Sequence, residues 1–408
     1  MALHVMDEAN RCLQCKVPQC QKGCPISTNI PEAIRLLKEN KLNEAGRMLF
    51  ENNPLTTICS IVCNHENQCE GHCVLGRKGA PVHFSVIENY ISSTYANQMV
   101  KGPAPSNGIR VAVIGSGPAG LTVAIILARY GYQVTIFEGK DKIGGMLRYG
   151  IPEFRLPKSV LDDIEYRHLE LKGIKVRPNT TVGFAVTIED LFRDGYQAVF
   201  VGTGVWKPNT LNIKGEGLGH VHFAINYLSN PDSYKLGEKV IIIGAGNAAM
   251  DVARTAIRKG SQDVTCFSIT RKITASEHEF TYAQLENVKF EYNRRPVEIT
   301  DEGVVFIDVE EMEDGSIRSL EGTEKLISAD SVIISISQGP QSRLVKTTDS
   351  LKATERGLLA VDERGCTSRE GVFASGDVVD GARTVVEAVA RSKVVAETIH
   401  EYLQRVKK

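Results

Sequence analysis

Residues 109–120 read IRVAVIGSGPAG, and LTVAIILARYG follows without a break. The opening is a continuous apolar run of the kind buried on both faces of a parallel sheet, feeding a glycine turn and then a helix. Gly115 allows the tight turn, Gly117 lets the backbone approach a pyrophosphate, and Gly120 lets helix and strand pack closely. The helix N-terminus then faces the negative charge. The next strand, QVTIFEG, ends on Glu138, 18 residues after Gly120, where a carboxylate accepts hydrogen bonds from a ribose diol. A glycine-rich structural turn is the alternative, but strand, helix and acid in one register point to a dinucleotide site. GGMLRYGIPEFRLPK, residues 144–158, adds Gly144, Gly145 and Met146 to its border, then Arg155. That guanidinium suits either a pyrophosphate or a surface carboxylate.

The same pattern returns at EKVIIIGAGNAAM, residues 238–250, where Gly244 and Gly246 repeat the turn and Ala249 takes the third small position. Asn247 and Ala248 open the helix beyond it and count with the second nucleotide site. Ala253 and Gly260 keep the offsets of Ala124 and Gly131, so one architecture occurs twice on one chain. Aligning QVTIFEG with DVTCFSI puts Ser268 where Glu138 stood. The acid that binds a 2′-hydroxyl and repels a 2′-phosphate is missing, and Thr270, Arg271 and Lys272 follow at once. This favours NADPH. A solvated charged turn is the other reading of Arg271 and Lys272, and NADH stays open.

Eight of the ten cysteines lie between Cys12 and Cys73. Clustered thiols at one end of a long chain with no secretory features read as metal or cluster ligands, not as a disulfide framework. One set is Cys12, Cys15, Cys20 and Cys24, followed by Pro25; the other is Cys59, Cys63, Cys69 and Cys73. Two iron–sulfur clusters fit these short wrapping loops. Zinc is the alternative, although it favours paired CxxC knuckles and the second set has none. Cys266 stands alone near the second nucleotide site, where a disulfide reductase of the thioredoxin-reductase type needs a dithiol.

With 408 residues, the chain has room for two or three domains. A net charge of −1 gives no reason to expect nucleic acid or an anionic membrane as partner. No apolar run approaches the roughly 20 residues of a membrane span. The opening MALHVMDEANRC has no basic start followed by an apolar stretch, so a cytoplasmic protein is expected. Residues 1–107 form an expected helical cluster domain, in which Ile34, Leu37, Leu49 and Phe50 sit among polar residues and KGPAPSNG, 101–108, is a linker. The tail from Gly371 reads as strand, turn and long closing helix. The expected fold is α/β: the helical domain, then two nested Rossmann-like dinucleotide domains, the first at 108–236 and 337–408 around the second at 237–336.

CxxCxxxxCxxxCP, CxxxCxxxxxCxxxC, GSGPAG, GIPEFRLPK, GAGNAAMD and SGD with its closing helix together cover almost the whole chain. This pattern resembles the glutamate synthase small-subunit family, which includes the NAD(P)H-oxidising parts of dihydropyrimidine dehydrogenases and the large subunit of electron-bifurcating transhydrogenase. VTC followed by TASEHEF is similar to the bacterial dihydropyrimidine dehydrogenase small subunit. The resemblance implies FAD in the first site, NAD(P)H in the second, and two 4Fe–4S clusters. It gives one cluster to Cys12, Cys15, Cys20 and Cys73. The other takes Cys24, Cys63 and Cys69, with Glu88 of FSVIENYI as fourth ligand, and Cys59 matches a cysteine that is not a ligand. It carries Arg155, Asp377 and Thr384 to the flavin, and it implies an electron-input enzyme that serves a second catalytic subunit. Hydride transfer to a flavin needs stacking and orientation more than an acid or base, so no catalytic side chain is expected. The rivals are a stand-alone NAD(P)H:ferredoxin or disulfide reductase, and a cluster-bearing scaffold with regulatory nucleotide sites. Two departures from the family pattern stand out. Ser268 and Ile269 replace an arginine pair frequent in NADPH-using relatives, and Ser337 of SISQGP replaces a more usual glycine.

Overall fold

Arg110–Ile114 is buried from its second residue onward, as its unbroken apolar run requires. It lies at the centre of a five-stranded parallel sheet, in the order Val372–Ala374, Tyr196–Val201, Arg110–Ile114, Gln133–Phe137, Lys175–Arg177. The helix Pro118–Arg129 follows, with proline in its first turn and all residues from Ala119 to Ala128 buried. A helix apolar all round is covered on every side. The long closing helix, Val385–Val406, packs against it. The computed structural model describes residues 4–98, 102–184 and 186–406.

Among the described residues of the N-terminal segment six α-helices form: Val5–Asn10, Gln19–Lys22, Ile30–Lys38, Leu42–Asn52, Thr56–Val62 and Phe84–Gln98. Ile34, Leu37, Leu49 and Phe50 are buried, as their placement among polar residues implied. They sit on two helices, because Asn40 takes a left-handed turn at φ 57° between Lys38 and Leu42. Lys101, first residue of the expected linker, lies outside the described residues. From Gly102 to Ile109 the chain forms neither helix nor strand.

The chain divides into two compact units: Met1–Leu147 with Glu153–Val205 and Pro340–Lys408, and Arg148–Pro152 with Trp206–Gly339. The second unit is built on a parallel sheet in the order Val221–Phe223, Ser331–Ile334, Lys239–Ile243, Asp263–Phe267, Lys289–Glu291. It reproduces the first sheet strand for strand around its glycine-turn strand. Its outer strand, Val221–Phe223, precedes the glycine turn in sequence, and the longer segment of this unit runs from Trp206. A four-stranded antiparallel sheet, Arg294–Thr300, Gly303–Glu311, Ile317–Ser319 and Lys325–Ser328, completes it. Ser337 has φ 71°, the left-handed conformation in which a glycine is less strained. Among the described residues no helix is long and apolar enough to cross a membrane.

Candidate functional site: two glycine turns and a thiol-rich helical segment

The first glycine turn fits a pyrophosphate by what surrounds it. A Cβ on Gly120 would stand 2.0 Å from the Gly115 carbonyl oxygen, so only glycine lets this helix start so close to its strand. A Cβ on Gly117 would meet nothing within 4 Å, which leaves open space where the backbone faces a ligand. Glu138 is buried at the end of its strand. One carboxylate oxygen accepts from the Ser116 N–H at 2.9 Å and from the Ser116 hydroxyl, and the other accepts from the Lys140 N–H at 2.8 Å. The carboxylate is thereby fixed beside the turn, and Ser116, unremarked in the sequence, helps to hold it. Gly145 faces the same turn, since its Cβ would lie 2.8 Å from the Gly117 Cα. Met146 begins the short helix Met146–Tyr149, and Arg155 is half-buried further along.

Gly376 brings the C-terminal part of the unit to this turn, for its Cβ would stand 2.9 Å from the Ala119 Cβ. Asp377 follows, half-buried, and accepts from the Arg383 N–H at 3.2 Å. Burial pushes its carboxyl up to about 6. Thr384 is exposed and caps the closing helix: its N–H donates to Glu387 at 3.0 Å, and its hydroxyl oxygen accepts from the Glu387 N–H at 3.4 Å.

The second turn repeats the mechanics, with Gly244 at φ 134° and Ala249 fully buried in the third small position. Residues 268–276 leave the neighbouring strand Asp263–Phe267 and come back to the glycine turn. Thr274 and Ala275 donate backbone N–H groups to the Ala245 carbonyl, and Ser276 donates to the Asn247 side chain at 2.8 Å. Ala248 lies in the first turn of the helix Asn247–Arg258. Ser268 is buried, whereas Arg271 and Lys272 project into solvent and make no ion pair among the described residues.

In the helical segment, Cys12, Cys15, Cys20 and Cys73 line one cavity, closed by Ile34, Val82 and Phe84, with Cys69 at its wall. Burial, aided by the other thiols, pushes Cys20 up to about 11 and raises Cys12. Such thiols resist ionising until a cationic group faces them, which the iron of a cluster supplies. Among the described residues no three His, Cys, Asp or Glu side chains converge as a single-ion site. A cavity lined by several thiols suits a cluster, whose irons each take a thiolate.

A second group gathers beside it. Cys69 feels the charges of Glu88 and Cys24, and Cys63 feels those of Cys59, Glu88 and Cys69. Glu88 is buried on the helix Phe84–Gln98, and burial pushes it up to about 7. Its Oε1 accepts from the Thr56 hydroxyl at 2.7 Å, a partner no sequence pattern announced. Cys59, one helical turn before Cys63, is hydrogen-bonded to it. Cys24 and Glu88 thus lie within electrostatic reach of Cys69, and Glu88 and Cys59 within reach of Cys63.

Two glycine-turn sheets on one chain, one sharing a compact unit with a thiol-rich helical segment, define an oxidoreductase with two dinucleotide sites and its own cluster domain. Residues 109–392 match the pyridine nucleotide-disulphide oxidoreductase family, and residues 2–100 match dihydropyrimidine dehydrogenase domain II, 4Fe-4S cluster. The glutamate synthase [NADPH] small chain of Azospirillum brasilense is 36% identical over 97% of this chain and 88% of its own length. The NAD-dependent dihydropyrimidine dehydrogenase subunit PreT of Escherichia coli strain K12 is 32% identical over 99% of this chain and 95% of its own. The chain belongs to the glutamate synthase small-chain family of pyridine nucleotide-disulphide oxidoreductases. Among solved structures, FprA of Mycobacterium tuberculosis in complex with NADPH superposes with a TM-score of 0.62 at 17% identity, covering 74% of this chain and 86% of that one. Thioredoxin reductase of T. acidophilum gives 0.56 at 24% identity, covering 72% and 98%. These two share the fold. The protein is an NAD(P)H-dependent FAD oxidoreductase with an N-terminal 4Fe–4S domain.

Proposed function

We propose that this chain is the electron-input subunit of a larger flavoprotein, taking hydride from NADPH onto FAD and delivering single electrons through two 4Fe–4S clusters to a partner subunit. The observation that carries this reading is the sharing of one compact unit by the first glycine turn and both groups of thiols. Bound FAD supplies the exchange between two-electron and one-electron chemistry, and the clusters supply single-electron relay.

The chain's own residues bind and orient. Gly115, Gly117 and Gly120 cradle the FAD pyrophosphate, and Glu138 holds its ribose. Gly145, Met146 and Arg155 flank that cradle, while Asp377 and Thr384 close it from the C-terminal side. Gly244, Gly246, Asn247 and Ala248 receive the nicotinamide nucleotide in the insert, whose bounds we take as 206–339. Ser268 leaves room for a 2′-phosphate, and the unpaired charges of Arg271 and Lys272 meet it. Cys12, Cys15, Cys20 and Cys73 hold one cluster; Cys24, Cys63, Cys69 and Glu88 hold the other.

Both relatives are named as a small chain or a subunit, which supports a partner that carries the final acceptor. A disulfide-reductase role is disfavoured by Cys266, which is buried in the core of the second unit with its thiol pushed far up by that burial. The test is anaerobic titration of the purified chain. NADPH is expected to bleach a flavin band and then raise cluster EPR signals, with about eight irons per chain. Colourless protein containing zinc would sink the reading.

A further inference from the structure

The closing helix links the candidate flavin site to the second group of thiols. Its N-cap, Thr384, follows the Asp377 loop, and Ser392 on the same helix bonds to Ser375 at 2.8 Å, just before that loop. Lys393 lies nine residues beyond Thr384, about 13 Å along the axis. Its side chain turns into the N-terminal segment, where the helix Thr56–Val62 packs against the closing helix.

A directed series of hydrogen bonds begins there. The Lys393 ammonium donates to Asn52 Oδ1 at 2.6 Å. Asn52 Nδ2 donates to Thr28 Oγ1 at 3.1 Å, and also to the Ile26 carbonyl at 3.3 Å. Thr28 is buried, and its Oγ1 lies 3.4 Å from Cys24 Sγ. With Cys24 ionised as a ligand, the thiol proton is gone and the Thr28 hydroxyl becomes the donor. Every bond in the series then points its hydrogen at the sulfur, and a cation stands at the far end. Donors in series polarise one another. Burial lowers the affinity of Lys393 for its proton while the Cys24 charge raises it, which places the two groups within electrostatic reach.

We infer that Lys393 is a positioning residue that acts through Asn52 and Thr28 to raise the reduction potential of the cluster held by Cys24. The inference rests on the reading of Cys24 as a ligand. A reduced cluster is more negative than an oxidised one, so a nearby cation and hydrogen bonds to the sulfur stabilise the reduced form. The device favours passage of electrons from flavin to this cluster over their return.

The experiment is EPR-monitored redox titration of the full chain. Lys393→Met is expected to lower the equilibrium constant for reducing one cluster about tenfold, which for a one-electron couple is about 59 mV. The other cluster and the flavin should keep their potentials, and Lys393→Arg should restore most of the shift. Thr28→Val removes the last donor without touching the cation, and should shift the same cluster in the same direction. Unchanged potentials in both Lys393→Met and Thr28→Val overturn the inference. The underlying reading fails separately: iron content and both EPR signals that survive Cys24→Ser would show that Cys24 ligates nothing.

Discussion

Glu88 and Cys59 compete for one role, and their surroundings differ. Glu88 is buried, accepts a hydrogen bond from Thr56, and is pushed by burial up to about 7, so a positive charge nearby favours its ionised form. Cys59 is buried within its helix and hydrogen-bonded to Cys63, the first residue past the helix end. A carboxylate is a harder donor than a thiolate, so iron held by Glu88 carries a distinct spectroscopic signature. Glu88→Ala is expected to alter one cluster's EPR signal and slow electron exit while NADPH still reduces the flavin. Cys59→Ser should leave both clusters intact. The reverse pattern would assign the site to four cysteines. Neither outcome was legible from residue spacing, which brings Cys59 as close as any ligand. Glu88 emerged only by likeness to a family, because nothing in the pattern of FSVIENYI separates a buried ligand from a surface acid on an amphipathic helix. Thr56, the group that holds it, left no mark in the sequence at all.

At the scale of elements, the parallel strands were legible and the antiparallel ones were not. VAVI and VIII are apolar without interruption because both faces of their sheets are covered. The strand Arg294–Thr300 is half-buried along most of its length, with no alternation to betray it, and the sheet is completed only by Lys325–Ser328, which pairs with Gly303–Phe306. A second element escaped notice for a similar reason. The helix Lys158–Ile164 runs into a π-turn, Glu165–Leu169, and the added residue shifts the helical register beyond Ile164. His168 thereby faces inward and stacks on Phe50 of the cluster segment, ring centroids 5.0 Å apart. Arg129 covers Phe50 as well, at 5.7 Å. Among the described residues the His168 Nδ1 has no hydrogen-bond partner, and burial pushes the imidazole down to about 4 from its ordinary 6.5. Between those values the unfolded chain binds a proton that the folded chain refuses, so stability falls as pH falls, by roughly 3 kcal/mol over the whole window. His168→Phe keeps the stacked ring and removes the titration. Its Tm should decline less between pH 6.5 and pH 4 than that of the unaltered chain, and parallel declines would show that His168 takes no part.

At the scale of the whole chain, the nesting of one nucleotide domain within another could be read from two glycine turns and a closing SGD segment, but its seam could not. The seam is set by Val221–Phe223, a three-residue strand whose pairing with Val332–Ile334 is a backbone property that no side-chain pattern encodes. The proposed order of electron flow rests on the same organisation. NADPH has its candidate site in the unit that holds Gly244, while every candidate cluster ligand lies in the other unit with the first glycine turn. A two-electron donor does not deliver to one-electron clusters without an intermediary, so removing the flavin should isolate the clusters from NADPH. Gly120→Val is the substitution that does this, because even a Cβ there would stand 2.0 Å from the Gly115 carbonyl and force the helix off its turn. The variant is expected to purify with little flavin and with its iron retained. Dithionite should raise cluster EPR signals as in the unaltered chain, which verifies that the thiol-rich segment is folded. NADPH should then raise none. Cluster signals of full size on adding NADPH to flavin-free protein would mean that electrons reach the thiol-rich segment by another route, and the assignment of the first glycine turn to the intermediary would fall.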